Sequence, residues 1–312
     1  MKIVVTGALG HIGSRLIREL PASIPDGEII MVDNLSTQRY ASLFDLPSRG
    51  KYRFIEADLL DVDLPPILKG ADTVVHLAAI TNAADSFAIR DKIERENLES
   101  TRRVAEACVQ TGSALLFTST TSVYGSQEER VDEDCSPENL EPQSPYAEAK
   151  LKEEALLHSL GESRGLPFIV CRFGTIFGIS PGMRFHTAVN KFCWQAVMGL
   201  PVTVWRTAIH QKRPYLDLLD AVHAILFLIR NRIFDRRIYN VLTTNVTVND
   251  IVEIIRKYVP ELQIEFVDHR IMNQLSYTVL NQRFKDLGFE FRGDLAGGIK
   301  ETVQLLKGST SI

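Results

Sequence analysis

Only four cysteines occur in the 312 residues, and Cys108, Cys135, Cys171 and Cys193 stand well apart. With no CxxC and no neighbouring histidine at a ligand spacing, a zinc site and a disulfide framework are both excluded. No metal is expected, and the cysteines read as reduced thiols of a cytosolic protein. Charge of one sign is lacking too. The 35 Lys and Arg against 39 Asp and Glu leave a net charge of −4, and the basic residues are scattered, which argues against a nucleic-acid partner. No run reaches the roughly 18 apolar residues of a membrane span. Met1–Val5 enters a strand without the apolar stretch of a signal peptide, so a cytoplasmic protein is expected. Repeats and low-complexity tracts are also missing. At 45% hydrophobic and 24% charged, the rest is the composition of a soluble globular enzyme of one large or two modest domains.

The first half alternates short apolar runs with helical patterns. Lys2–Thr6, Glu28–Val32, Tyr52–Glu56, Thr73–Leu77, Ala114–Thr118 and Pro167–Cys171 read as strands. Between them His11–Leu20, Asp91–Gln110 and Tyr146–Ser163 read as helices, the last opened by Ser144 as cap and Pro145 at its first position. Such alternation implies an α/β fold, a Rossmann-type doubly wound parallel sheet covered on both faces.

After Arg172 the texture changes. Gly174–Gly182 reads as a loop, followed by helices at Arg184–Met198, Asp217–Arg230 and Thr247–Tyr258 and strands at Val202–Trp205 and Arg236–Val241. Thr247 and Asp250 are spaced as a capping box, and Asp294 is placed to cap a last helix through about Leu306. We therefore expect a dinucleotide-binding domain over 1–172. A smaller α/β substrate domain should come mainly from 173–312, with a stretch of about 213–245 returning to the sheet.

Gly7, Gly10 and Gly13 fall at the first strand-to-helix turn, spaced GxxGxxG. The physical demands are a tight turn, close backbone approach to a pyrophosphate, and close contact of helix and strand. The amides opening the next helix would face the phosphates. Asp33 follows the second strand, 20 residues beyond Gly13. A carboxylate there can accept from both ribose hydroxyls and repel a 2′-phosphate, although it also suits the cap of a turn in DNLST. Arg39, the nearest following arginine, is six residues on, which favours NAD over NADP. Asp58-Leu59 and His76-Leu77-Ala78-Ala79 end the third and fourth strands, at the sheet edge where a cofactor must lie. In SPYAEAK, Lys150 stands one helical turn after Tyr146. Tyrosine ordinarily titrates near pH 10, about three units above neutrality. An ammonium on the same helix face favours the phenolate and moves it toward a useful range. The pair and the glycine turn together suggest hydride chemistry at an alcohol carbon.

TGALGHIG, MVDNLST, ADLLD, HLAA, TSTTSVYG and SPYAEAK together resemble the extended short-chain dehydrogenase/reductase superfamily. More narrowly they resemble its NAD-dependent sugar-nucleotide epimerase/dehydratase branch, and DNLST is similar to the UDP-hexose 4-epimerase version. The resemblance covers almost the whole chain, more loosely in the second half. It implies NAD held by Gly7, Gly10, His11, Ile12, Gly13, Asp33, Asn34, Ser36, Asp58, Leu59, Leu77, Ala78 and Ala79, with Tyr146 and Lys150. It implies Thr120, Tyr146 and Lys150 as catalytic residues: Thr120 positions the sugar hydroxyl, Tyr146 takes its proton, and Lys150 polarises Tyr146 and holds the nicotinamide ribose. It also implies a homodimer through the two long helices, whose Val104, Ala107, Cys108, Leu151, Ala155 and Leu156 suit either that interface or the core.

Departures from the family narrow the reaction. The 4,6-dehydratases carry Asp and Glu after the catalytic Thr, and the decarboxylases a Glu at the second place. Here Thr121 and Ser122 stand there. The cysteine of the 3,5-epimerases is missing from this loop. Oxidation and reduction at one carbon remain, as a 4-epimerase or a net dehydrogenase/reductase of a nucleotide sugar, with a non-catalytic NAD-binding regulator as the other class. The Asn expected after Arg172 is replaced by Gly174 and Thr175. QKRPYLDLLD resembles the family's RDFVHVDD, with Arg213 at the arginine that meets a phosphate, unless it simply pairs with Asp220. Substrate contacts are therefore expected from Thr121, Ser122, Thr175, Arg184, Asn190, Arg206 and Arg213, with Lys191 as a further cation. Trp205 and Phe192 could flank a base or belong to the core. His186, Asn273 and Tyr277 are candidate sugar contacts.

Overall fold

The computed structural model describes residues 1–81, 89–125, 130–136, 140–142, 144–267 and 276–308. Asn273 lies outside these residues. In chain order the first half runs β1 (Lys2–Thr6), α1 (His11–Ser23), β2 (Glu28–Asp33), β3 (Lys51–Glu56), α2 (Leu64–Leu68), β4 (Thr73–His76), α3 (Arg90–Thr111), β5 (Ala114–Thr120), β6 (Arg130–Val131), α4 (Pro145–Arg164) and β7 (Phe168–Phe173). Then come β8 (Thr175–Phe177), α5 (Ala188–Val197), β9 (Val202–Trp205), β10 (Lys212–Asp217), α6 (Leu218–Arg230) and β11 (Ile238–Val241). The chain closes with β12 (Thr244–Thr247), α7 (Val248–Arg256), β13 (Ile264–Val267), β14 (Thr278–Val279), α8 (Gln282–Lys285) and α9 (Leu295–Lys307).

Seven strands pair in parallel in the order β11-β7-β5-β4-β1-β2-β3. The inner strands β1, β4 and β7 are buried almost end to end, which is why they read as continuous apolar runs rather than alternating ones, whereas the edge strand β3 is half-exposed. One core, built on Leu16, Ile17, Ala221 and Ile225, joins the sheet to α1 and α6; the other, with Leu68, Val104, Cys108 and Leu157, joins it to α2, α3 and α4. From β1 the chain steps outward to β2 and β3, then crosses to β4, β5 and β7. The crevice at the carboxyl ends of β1 and β4 is thus a topological switch point. Register fixes it closely, Thr6 lying opposite His76 on one side and Val32 on the other.

The C-terminal elements cluster around a third core of Phe177, Val189, Phe192, Tyr215, Ile251 and Ile299, under α5, α7 and α9. Here the structure corrects the sequence reading. The glycine-rich stretch after Arg172 holds a strand, β8, because Tyr215 and Leu216 of β10 pair with Thr175 and Ile176. The segment from Arg184 bends without forming helix until α5 opens at Ala188, and Asp217 caps α6 rather than belonging to it. Within about 213–245, β11 takes the sheet edge beside β7, whereas β10 lies outside that sheet, between β8 and β12. Thr247 and Asp250 form the capping box, and Asp294 caps α9.

Of the apolar residues weighed for an interface, Val104, Ala107 and Cys108 are buried in the chain's own core. Leu151 and Leu156 are half-buried and Ala155 is exposed, and the solvent side of α3 and α4 also carries ion pairs: Arg90 with Glu148, Lys152 with Glu94, and Arg102 with Glu99 and Glu106. Among the described residues no helix is long and apolar enough to cross a membrane.

Candidate active site

A cavity of about 860 Å³ opens along the switch point. Every residue expected to hold a dinucleotide lines it. Gly7 sits at φ +66°, and a Cβ there would lie 2.6 Å from Ala78 N, so only glycine lets the β1 turn meet the end of β4. A Cβ on Gly13 would lie 2.5 Å from Gly7 O, so this glycine permits the close start of α1. The amides at that helix end form a natural anion cradle. Asp33 serves as a turn cap and more. Its Oδ1 accepts from Leu35 N and its Oδ2 from Leu9 N, each at 3.0 Å, so the carboxylate braces the glycine turn while keeping lone pairs for a ligand. Asn34 donates to Asp58 at 2.9 Å, tying the ends of β2 and β3 together.

One residue here escaped the sequence reading, and another was set aside by it. Arg39, discounted in sequence as six residues beyond Asp33, also lines the cavity, and burial pushes its guanidinium down while Asp33 holds it up. Asn97 on α3 clamps Ile80 through both main-chain groups, accepting from its N at 2.9 Å and donating to its O at 3.0 Å. No local pattern marks Asn97, since it sits among the charges of an amphipathic helix.

At the inner end, β5 and α4 bring the expected trio to one wall. Thr120, Thr121, Ser122, Tyr146 and Lys150 all line the cavity. Thr120 caps the turn, its Oγ1 accepting from Ser122 N at 3.1 Å, which leaves the hydroxyl proton to be donated. Thr121 Oγ1 donates to Phe173 O at 3.2 Å, and Tyr277 donates to Thr121 O at 3.3 Å, so the turn is braced from the C-terminal part of the chain. Ser144 caps α4 by accepting from Ala147 N at 3.2 Å. Lys150 Nζ lies 5.9 Å from the centroid of the Tyr146 ring and 4.4 Å from that of Phe117. Its effect on Tyr146 is less than the spacing suggests. Burial pushes the phenol up, Lys150 pulls it back, Glu153 opposes Lys150, and the net direction is upward.

The substrate candidates divide. Thr175, Arg184, His186, Lys191, Phe192, Trp205, Arg213 and Tyr277 line the cavity; Asn190 and Arg206 do not. Asn190 is buried as a clamp, accepting from Gly178 N and donating to Arg184 O. Arg206 places its guanidinium over the Phe266 ring at 5.2 Å. Arg213 donates to Gln211 Oε1 at 3.0 Å and faces the Tyr277 ring, whereas Asp220 accepts from Thr243 and from the amides of Arg292 and Gly293. The pairing of Arg213 with Asp220 is thereby replaced by a loop anchor. Arg184 donates to Thr81 Oγ1, and its Nε is buried without a partner among the described residues. It lies close enough to pull Tyr146 down, and burial pushes its own guanidinium below the ordinary range. The described carboxylates lining the cavity are Asp33, Asp58 and Glu96, none on the Thr120–Ser122 turn. Among the described residues no cluster of His, Cys, Asp or Glu could hold a metal ion.

Residues 3–241 match the NAD dependent epimerase/dehydratase family. The chain is 33% identical over 233 residues to an uncharacterized UDP-glucose epimerase of Bacillus subtilis (strain 168), covering 72% of this chain and 71% of that one. It is 30% identical over 316 residues, 96% of its length, to a trifunctional UDP-glucose 4,6-dehydratase/UDP-4-keto-6-deoxy-D-glucose 3,5-epimerase/UDP-4-keto-L-rhamnose-reductase of Arabidopsis thaliana. There it spans 46% of the relative, so it is about half the length of that protein. Among solved structures, MoeE5 in complex with UDP-glucuronic acid and NAD superposes with TM-score 0.85 at 30% identity, over 99% of this chain and 100% of that one. NAD is the cofactor that the glycine turn, Asp33 and the cavity fit.

Proposed function

Because this chain belongs to the NAD-dependent epimerase/dehydratase family, we propose that it is a 4-epimerase of a nucleotide-activated sugar, and that the sugar is a uronic acid. The carrying observation is Arg184, a half-buried cation beside Tyr146 whose Nε is buried without a partner among the described residues and which no described carboxylate answers. In a uronic acid the carboxylate is attached to C5, the carbon next to the hydroxyl-bearing C4. A base at the C4 hydroxyl and a cation close by suit that arrangement, and charge-assisted bonds of guanidinium to carboxylate are strong and directional.

Thr120 and Tyr146 receive the C4 hydroxyl, and Tyr146 takes its proton. Bound NAD supplies the oxidant that accepts hydride from the same carbon and the reductant that returns it. Lys150 stabilises the phenolate. Thr121 and Ser122 cannot act as a carboxyl acid and base, which argues against elimination of water. Arg213, with Lys191, is the candidate partner for the diphosphate. Returning hydride to the opposite face requires the 4-keto sugar to turn while the nucleotide stays anchored. An enzyme of this kind keeps its cofactor through turnover.

The test is direct. Incubated with UDP-glucuronic acid and NAD, the protein is expected to form the C4 epimer while total NADH stays constant. Stoichiometric NADH would reassign it as a dehydrogenase or reductase. Preference for UDP-glucose over UDP-glucuronic acid would overturn the uronic-acid part. Inactivity on every nucleotide sugar with normal NAD binding would favour a regulatory protein.

A further inference from the structure

Behind the Tyr146–Lys150 pair the chain buries a carboxylate that the reaction itself does not require. Glu153, one turn of α4 beyond Lys150, is 0% exposed and does not line the cavity, whereas Lys150 does. Lys150 Nζ donates to Glu153 Oε2 at 2.8 Å, and Thr101 Oγ1 of α3 donates to the same oxygen at 3.0 Å. Thr101 Oγ1 is in turn 3.1 Å from His76 Nε2 on β4, and His76 Nδ1 is 2.7 Å from Thr6 Oγ1 on β1. Since Thr101 gives its proton to Glu153, it accepts from His76 Nε2–H. That leaves Nδ1 to accept from Thr6, which accepts from Ala78 N. Donors from four elements therefore run one way and converge on Glu153. His76 is neutral throughout, because burial and the Lys150 charge push it down to about 3.

A buried carboxylate is costly unless a partner charge answers it. The neighbouring charges are accounted for. Glu154, next along α4, is held by Arg172 of β7 at 2.6 Å and by Ser119 of β5. Arg184 acts on Tyr146 from the segment before α5. Glu153 is the negative group whose nearest cation is Lys150, and its Oε1 is buried without a partner among the described residues.

We propose that Glu153 is a positioning residue for the reacting pair: from behind Lys150 it holds the ammonium charged and leaves its other protons for the cavity side. The inference rests on the reading of Tyr146 and Lys150 as that pair. Burial works against the Lys150 ammonium, yet Glu153, foremost among the groups that oppose it, together with Tyr146 and Glu154 outweighs it, and the amine titrates above its ordinary range. The same negative charge pushes Tyr146 upward. Removing it lowers both groups together, a signature that simple loss of packing does not produce.

The test compares pH profiles of kcat/KM, at saturating NAD, for the wild type, Glu153→Gln and Glu153→Asp. An opposite charge within a few ångströms is worth about 1–3 pH units. In Glu153→Gln the basic limb, set by Lys150, is therefore expected to move to lower pH by about 1–3 units, and the acid limb, set by Tyr146, to move in the same direction. Glu153→Asp, which keeps the charge, should retain the wild-type limbs at reduced height. A Glu153→Gln profile that is lowered without moving overturns the proposal. For a folded Glu153→Gln with too little turnover, the ¹³C-NMR titration of Lys150 decides: a lowered midpoint supports the role and an unchanged one rejects it. Should Glu153→Gln not fold, unshifted limbs in Glu153→Asp support the role and shifted limbs reject it. Full turnover by Tyr146→Phe would instead sink the underlying reading, a separate outcome.

Discussion

Replacing Arg184 with Met keeps an unbranched side chain of similar length and removes the guanidinium that stands near Tyr146. The main-chain clamp is untouched, because Asn190 donates to the carbonyl of residue 184 and not to its side chain. What is lost is the contact to Thr81 and the unpartnered Nε available to a ligand. A hydrogen bond to a charged group contributes roughly 1.5–3 kcal/mol net. At about 1.4 kcal/mol per tenfold, kcat/KM for UDP-glucuronic acid should fall on the order of 10- to 100-fold. Turnover of UDP-glucose, measured by following the C4 epimer at constant NAD, should change far less. A second effect falls on both sugars. Arg184 pulls Tyr146 down, so its loss lets the phenol rise, and the acid limb of kcat/KM moves to higher pH. The comparison of sugars therefore belongs on the plateau. Arg184→Lys, which keeps the charge and loses the fork, should fall between. Equal losses for the acidic and the neutral sugar would refute the assignment of Arg184 to a carboxylate.

Tyr146→Phe preserves the ring and removes the hydroxyl; the fold and NAD binding should survive while turnover drops by about 10²–10⁴, and wild-type turnover would reject the role. Asp33→Ala should weaken NAD binding and relax discrimination against NADP in paired titrations. It should also lower thermal stability, since Leu9 N and Leu35 N lose their acceptors; a wild-type chain that already prefers NADP would contradict the argument. Asp217 is pushed up to about 6, first by burial. A carboxyl whose folded value is raised contributes stability below its unfolded value near 4 and loses it as pH rises through 6. Asp217→Asn retains a capping side chain for α6 and should stabilise the protein by up to about 3 kcal/mol above pH 6, the gain vanishing near pH 4. Denaturation midpoints that differ equally at both pH values would refute this.

The local parts of the site are legible in sequence because each depends on a short spacing. Three glycines after one buried strand specify a turn that only glycine can make, and Asp33 ends the next strand wherever that strand lies. Tyr146 and Lys150 share a wall because four residues make a helical turn. Strands buried on both faces likewise announce a parallel sheet. Burial of polar groups is different, since it depends on what packs opposite. Glu153 and Glu154 follow Lys150 and Lys152 along α4, and nothing local in the sequence marks them as buried. Only Thr101 of α3 and Arg172 of β7, packed against α4, turn both carboxylates inward. Asn190 and Arg206 look as fit for a substrate as Arg184 does, and the three differ only in which way the folded chain faces them. The strand at Thr175–Phe177 needs β10, almost 40 residues later, to satisfy its backbone. The short-range geometry of the cofactor turn and the Tyr–Lys pair was set by the sequence itself. Which charges stand behind that pair, and which cation stands in front of it, was decided by contacts between segments far apart in the chain, because a charge has no defined role until its neighbours have excluded the water around it.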